Sequence, residues 1–178
     1  FKQSMWDLYK SRAPWLLFLM ISATFTSGII SSYEDALAAN LVLSSFIPML
    51  MDTGGNSGSQ SSTTIIRGLS LGEIRYIDVP RVIFKESAVA MLCGLTLALA
   101  NFAKLMVFDH VSLLIAAVVC FTLVVVVLVS NVVGGTLPIL AKRLGFDPTV
   151  MASPLITTIV DAVALVIYFN MAKALLHL

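Results

Sequence analysis

Two stretches of this chain carry the side chains able to do chemistry. The first is LMDTGGNSGSQSS, Leu50 to Ser62, where an aspartate, three glycines, an asparagine, a glutamine and a run of hydroxyls interrupt an apolar segment. The second is SPLITTIVDAVALVIYFN, in which Asp161 stands alone among apolar and hydroxyl residues. A carboxylate in such surroundings costs at least a few kcal/mol, so it marks a partner or a pathway. At helical spacing Ser153, Thr157, Asp161, Ala164 and Tyr168 share one face, with Thr158 beside them. The groups on offer are hard oxygens, and both histidines, His110 and His177, fall at the ends of apolar segments. Hard oxygens suit a small hard cation such as Mg2+, which sheds its waters reluctantly and is commonly held through carboxylates and retained water. One chain supplies too few oxygens for a dehydrated ion. Two chains meeting on a two-fold axis would set two Asp161 carboxylates against one divalent cation.

Catalytic readings of the same letters fail. Asp52–Thr53–Gly54 is the triplet of aspartic proteases, but those sites sit in β-rich soluble folds. A phosphate-cradling loop needs a lysine after its glycines, and GGNSGSQSS has none. An intramembrane aspartyl protease would want two aspartates in a Gly-x-Gly-Asp context, absent around Asp52 and Asp161. The chain is therefore not expected to be an enzyme. Cys93 and Cys120 lie in apolar runs and read as small core residues.

The elements that must position these groups are membrane helices. Of 178 residues, 58% are hydrophobic and 12% charged, against about 45–50% apolar and about 25% charged in an average soluble domain. The net charge of +1 and the lack of a basic cluster with interleaved aromatics exclude a nucleic-acid partner. A bilayer core needs roughly 20 apolar residues per helix. Five candidates qualify: Pro14–Ile30, Ala36–Arg67, Val82–Met106, Val111–Arg143 and Thr149–Lys173. The first follows no signal-peptide pattern and reads as a retained span. Residues 1–13 read as an interfacial lead-in helix, with Phe1, Met5, Leu8 and Tyr9 at helical spacing, and residues 14–178 as one five-helix membrane unit. The second and fourth spans, at about 32 and 33 residues, would be near 50 Å long if straight, so bending is expected at Pro48, at Gly54–Gly55 and at Pro138. Lys2, Lys10, Arg12, Arg67, Arg75, Arg81, Lys85, Lys142 and Arg143 fall on one side, against Lys104 and Lys173 on the other. The N-terminus is then cytoplasmic and the C-terminus outside.

A polar interruption at membrane depth is tolerated where protein covers it or water reaches it, so Gly55, Asn56 and Gln60 are expected to line a wet cavity. Gly54 and Gly58 also have the GxxxG spacing of a helix contact, and the two readings are compatible. Asp52 faces the cavity or caps the bend; Asp52 and Glu86 stand as possible secondary ligands.

FIPMLMDTGGNSGSQSSTTIIRGL, NVVGGTLPILAKRLGFDP and SPLITTIVDAVALVIYF, together with RAPWLLFLMIS and EIRYIDVPRVIFKE, resemble the MgtE-type magnesium channels over essentially the whole chain. The resemblance implies an all-α homodimer in the cell (inner) membrane, with five membrane helices per subunit around one pore that passes Mg2+ down its electrochemical gradient. It places Asp161 at the family's position for binding hydrated Mg2+, Asn56 near the pore, and Ser153 and Thr157 at pore-facing positions. The family's cytoplasmic regulatory region, an N-terminal helical domain and paired CBS domains, has no counterpart here; the residues before Pro14 are the expected remnant of the connection. The alternatives are a proton- or ion-coupled divalent-cation carrier and a non-conducting membrane scaffold.

Overall fold

The computed structural model describes residues 4–176; the side chains of residues 11, 36, 39 and 149–154 lie outside that description. Among the described residues all regular structure is helical: α1 (Met5–Ser31), α2 (Glu34–Ala39), a 3-10 segment (Leu41–Phe46), α3 (Ile47–Ser70), a 3-10 turn (Tyr76–Asp78), α4 (Val79–Val107), α5 (Leu113–Arg143) and α6 (Pro148–Leu176). Four segments are long and apolar enough to cross a membrane: Met5–Ser31, Tyr76–Val107, Leu113–Arg143 and Leu155–Leu176. The expected second span differs from the other four. Its polar residues take α3 out of the apolar class, and it is built in three pieces, α2, the 3-10 segment and α3.

The break falls earlier than the glycines suggested. Asn40 adopts φ −148° and ψ 88°, outside the helical region, and Pro48 sits in the first turn of α3. A proline there has no N–H to waste and its fixed φ starts a helix well. From Ile47 to Ser70 the helix runs unbroken through Gly54–Gly55, and α5 runs unbroken through Pro138. The hydroxyls of α3 do not unravel it because several bond back onto the helix. Thr63 donates to the Ser59 carbonyl at 2.8 Å, Thr64 to Gln60 at 3.1 Å and Ser70 to Ile66 at 2.9 Å. The lead-in segment and the first span form one helix, α1, whose start is capped by Ser4 accepting from the Trp6 amide. Phe1, Lys2 and His177 lie outside the described residues.

α5 is the central element, packing against α3, α4 and α6, with Val118, Val119 and Val127 wholly buried. Among the described residues, α1 packs chiefly against α6. Its attachment is at its far end, where Tyr33 stacks on Phe169 with ring centroids 4.6 Å apart, Asn170 donates to the Tyr33 hydroxyl, and the Lys173 ammonium lies 4.8 Å above the same ring. The remainder of α1 leaves Leu16, Phe18 and Phe25 exposed.

What joins α3 to the bundle is close backbone approach. Gly54 and Gly58 are buried, and a Cβ at Gly54 would lie 2.7 Å from side-chain atoms of Val126 on α5 and Val160 on α6. A Cβ at Gly134 would fall onto the Gly58 carbonyl oxygen. In lipid, helices gain little from the hydrophobic effect between them, so such small-residue contacts supply the packing energy. Replacing Gly134 by Ala therefore pushes backbone against backbone. We expect Gly134→Ala to destabilise the protein by about 3 kcal/mol, the upper range for overpacking. Gly28→Ala, with nothing within 4 Å of the added methyl, should be neutral or slightly stabilising. Thermal unfolding of the detergent-solubilised protein, followed by loss of the monodisperse chromatographic peak, separates the two.

Candidate functional site: a carboxylate-lined groove between α3 and α6

With Gly54 and Gly58 turned inward, the opposite side of α3 is left to its polar residues. Asp52, Asn56 and Gln60 recur every four positions and are exposed. The Asn56 amide donates to the Asp52 carboxylate at 3.2 Å, tying two successive turns of this stripe together. α6 lies alongside. Gly55 is small enough to admit it, since a Cβ there would stand 3.2 Å from Thr157 Cγ2. Asp161 is one helical turn beyond Thr157.

The result is an open groove of about 530 Å3 lined by Asp52, Gly55, Asn56, Ser59, Thr157 and Asp161, with Ile47, Pro48 and Met51 at its apolar end. Two carboxylates line it and no basic residue does. Among the described residues, no group of three or more His, Cys, Asp or Glu side chains gathers to hold a metal directly. The donor set suits a cation that keeps its water. Six waters occupy about 180 Å3 at liquid density, well within the groove.

Of the residues picked out from the sequence, Asp161, Asn56, Gly55, Thr157 and Asp52 come together here. Others do not. Gln60 extends the exposed stripe one turn beyond the groove. Thr158 is half-buried, one step round α6 from the groove, and the side chain of Ser153 lies outside the described residues. Glu86, expected as a possible secondary ligand, is not among the residues lining this groove; its carboxylate is buried, 3.5 Å from the Asn131 amide. The face counted from Asp161 also divides. Tyr168 is wholly buried and donates its hydroxyl to the Leu43 carbonyl at 2.9 Å, closing the core on one side of the groove.

Ser59, one of the hydroxyls of the interrupting stretch, also lines the groove. One participant escaped the sequence reading: Asn131, buried in α5. Its side-chain oxygen accepts from Ser57 at 2.5 Å, its backbone carbonyl accepts from Ser61 at 3.0 Å, and its amide nitrogen reaches Glu86 at 3.5 Å. The signal was a lone amide within an otherwise apolar span, which in a membrane usually bonds across helices. Asn131 thus links α3, α4 and α5.

A family model described as a divalent cation transporter, MgtE, matches residues 47–171. The chain is similar to the magnesium transporter MgtE of Thermus thermophilus, at 40% identity over 170 residues, covering 96% of this chain and 37% of that protein. The magnesium transporter MgtE of Bacillus subtilis is 34% identical over 166 residues, covering 93% and 37%. That of Enterococcus faecalis is 32% identical over 162 residues, covering 91% and 36%. The chain spans a little over a third of the length of these curated relatives.

The Asn131 network carries its own prediction. Asn131→Leu keeps the side chain's size but leaves Glu86 and Ser57 buried or half-buried without this partner, at a cost of about 1–3 kcal/mol. The melting temperature should fall accordingly. Asn131→Asp, which keeps the acceptor for Ser57 but sets a second carboxylate beside Glu86, should destabilise at least as much.

Proposed function

This chain belongs to the MgtE family of divalent cation transporters, and from that premise we propose that it is the pore-forming membrane unit of a Mg2+-selective channel. The observation that carries the proposal is a groove with two carboxylates, three polar side chains and no basic residue, set among apolar helices. Carboxylates close together in such surroundings repel one another and attract a cation. α3 would be a fifth crossing segment, acceptable in a bilayer because its polar stripe faces water in a pore rather than lipid. Two copies related by a two-fold axis would close the groove into one pore and bring two Asp161 side chains to it; the exposed apolar surface of α1 is then shared between lipid and the second copy. By the distribution of Lys and Arg, the N-terminus is cytoplasmic, the C-terminus outside, and Mg2+ enters the cytoplasm down its gradient. The membrane would be the cell (inner) membrane. Residues 1–13 are the interfacial lead-in and 14–178 the pore unit; in the whole protein a cytoplasmic regulatory region is the expected partner.

The mechanism follows from hydration. Removing six waters from Mg2+ costs more than two carboxylates and a few hydroxyls return, so the ion passes with its shell. Asp161 accepts hydrogen bonds from metal-bound water, leaving its oxygens about 4–5 Å from the ion instead of the direct 2.0–2.1 Å. Asn56, its amide turned to Asp52, offers its carbonyl oxygen to the same waters, and Ser59 and Thr157 offer hydroxyl oxygens. Gln60 continues the polar path one turn further along α3. Selectivity is then a fit to the hydrated octahedron.

Mg2+ uptake into proteoliposomes tests this. Asp161→Ala should reduce flux to the empty-vesicle background while the dimer stays intact by size exclusion. Asp52→Ala should reduce it by about tenfold, equivalent to roughly 1.4 kcal/mol of lost attraction. Unchanged transport and selectivity in Asp161→Ala would remove the ion from this groove. Saturable flux that follows an imposed pH gradient would make the protein an ion-coupled carrier instead. In a background lacking Cys93 and Cys120, Asn56→Cys and Gln60→Cys should react with a water-soluble thiol reagent, and Leu50→Cys, at a buried position of the same helix, should not.

A further inference from the structure

At one end of the bundle, away from the carboxylate groove, the last turns of α3 and the first of α4 enclose a second cavity of about 470 Å3. Arg67 enters it from α3; Arg81 and Lys85, one turn apart on the same face, enter from α4. The ion pairs among the described residues are Arg75–Asp78 and Lys104–Asp109, so none of these three cations is paired. Three carboxylates also line the cavity, and two are engaged elsewhere. Asp78 accepts from the Arg75 amide at 2.8 Å and pairs with the Arg75 side chain, while Glu86 is buried against the Asn131 amide. Glu73 remains, exposed. Arg67, Arg81 and Lys85 are exposed and line one cavity, so they can turn together onto an anion that offers several oxygens.

The depth of the cavity selects the kind of anion. From Ser87 to Ala103 α4 carries no charged residue. These 17 positions span about 26 Å, close to the thickness of a bilayer core. Lys85 and Lys104 therefore mark its two boundaries, and the cavity opens at headgroup level. Its walls include Ile65, Ile74 and Val82, buried or half-buried apolar side chains that suit the glycerol and upper acyl region of a lipid. We propose that this cavity is a binding site for the phosphate headgroup of an anionic phospholipid, held by Arg67, Arg81 and Lys85. Basic pockets between membrane helices recognise such headgroups through charge-assisted hydrogen bonds, and guanidinium forks match phosphate oxygens.

The test uses the purified full chain, with native mass spectrometry and thermal unfolding in detergent supplemented with phosphatidylglycerol, phosphatidylcholine or inorganic phosphate. Phosphatidylglycerol should be retained as an adduct and raise the melting temperature, with phosphatidylcholine and inorganic phosphate doing so much less. In the Arg81→Gln/Lys85→Gln protein the adduct should be about 30-fold weaker, at roughly fivefold for each cation lost. Arg67→Gln, on the other helix, should weaken it about fivefold and keeps the test open if the double variant does not fold. Equal retention of phosphatidylcholine, or undiminished phosphatidylglycerol binding in these variants, overturns the proposal. A melting shift with inorganic phosphate as large as that with lipid overturns the lipid in favour of a soluble phosphate.

Discussion

The meeting of two backbones at Gly58 and Gly134 is the constraint on which the rest of this structure depends. No side chain separates α3 from α5 there, and a methyl group added at Gly134 would collide with a carbonyl oxygen. A helix held that closely on one side must present its other side elsewhere. For α3 the held side carries Gly54, Gly58, Ser61 and Ile65, all buried, and the other carries Asp52, Asn56, Gln60 and Thr63, all exposed. Since α6 lies beside α3 with Thr157 against Gly55, the exposed side and the Asp161 carboxylate open into one groove. The packing and the placement of the polar groups are two aspects of one arrangement.

A polar helix among apolar ones must satisfy its polar atoms without help from lipid. α3 does so for several of them in three ways, the buried Ser62 hydroxyl having no partner among the described residues. Its outward hydroxyls bond back to carbonyls one turn earlier, Ser57 and Ser61 bond to Asn131 across the α5 contact, and Asp52 and Asn56 bond to each other. At its far end the Lys142 ammonium from α5 donates to the Leu69 carbonyl at 3.0 Å, where the helix has unsatisfied acceptors and a negative dipole end. The carboxylates of the groove have no protein cation among the lining residues, which leaves a mobile cation to complement them in the proposed function.

Much of this was legible beforehand because membrane proteins restrict the options. Apolar length picked out four helices long and apolar enough to cross a membrane, and helical counting put Thr157 and Asp161 on one face. The GxxxG spacing of Gly54 and Gly58 and the polar letters between them turned out to describe opposite sides of one helix. The break in the second segment was misplaced because glycine permits unwinding but does not demand it. With its hydroxyls bonded back and its glycines packed, α3 has no reason to unwind, and the chain bends instead before Pro48, where a helix is ready to begin.

The sequence by itself determined that the chain is helical and apolar enough for a membrane, that Asp161 and the Asp52–Asn56 stripe are costly in that setting, and which residues share a face of their own helix. Period and composition are local properties, so they are readable residue by residue. Which faces meet was decided only by tertiary structure. It brought Ser59 into the groove, left Gln60 one turn beyond it, buried Glu86 outside it, and made Asn131 the link between three helices. The physical reason is that a helix's own periodicity says nothing about its rotation against a neighbour; that rotation is set by where two backbones can approach most closely, and here the approach is at glycines more than seventy residues apart in the chain.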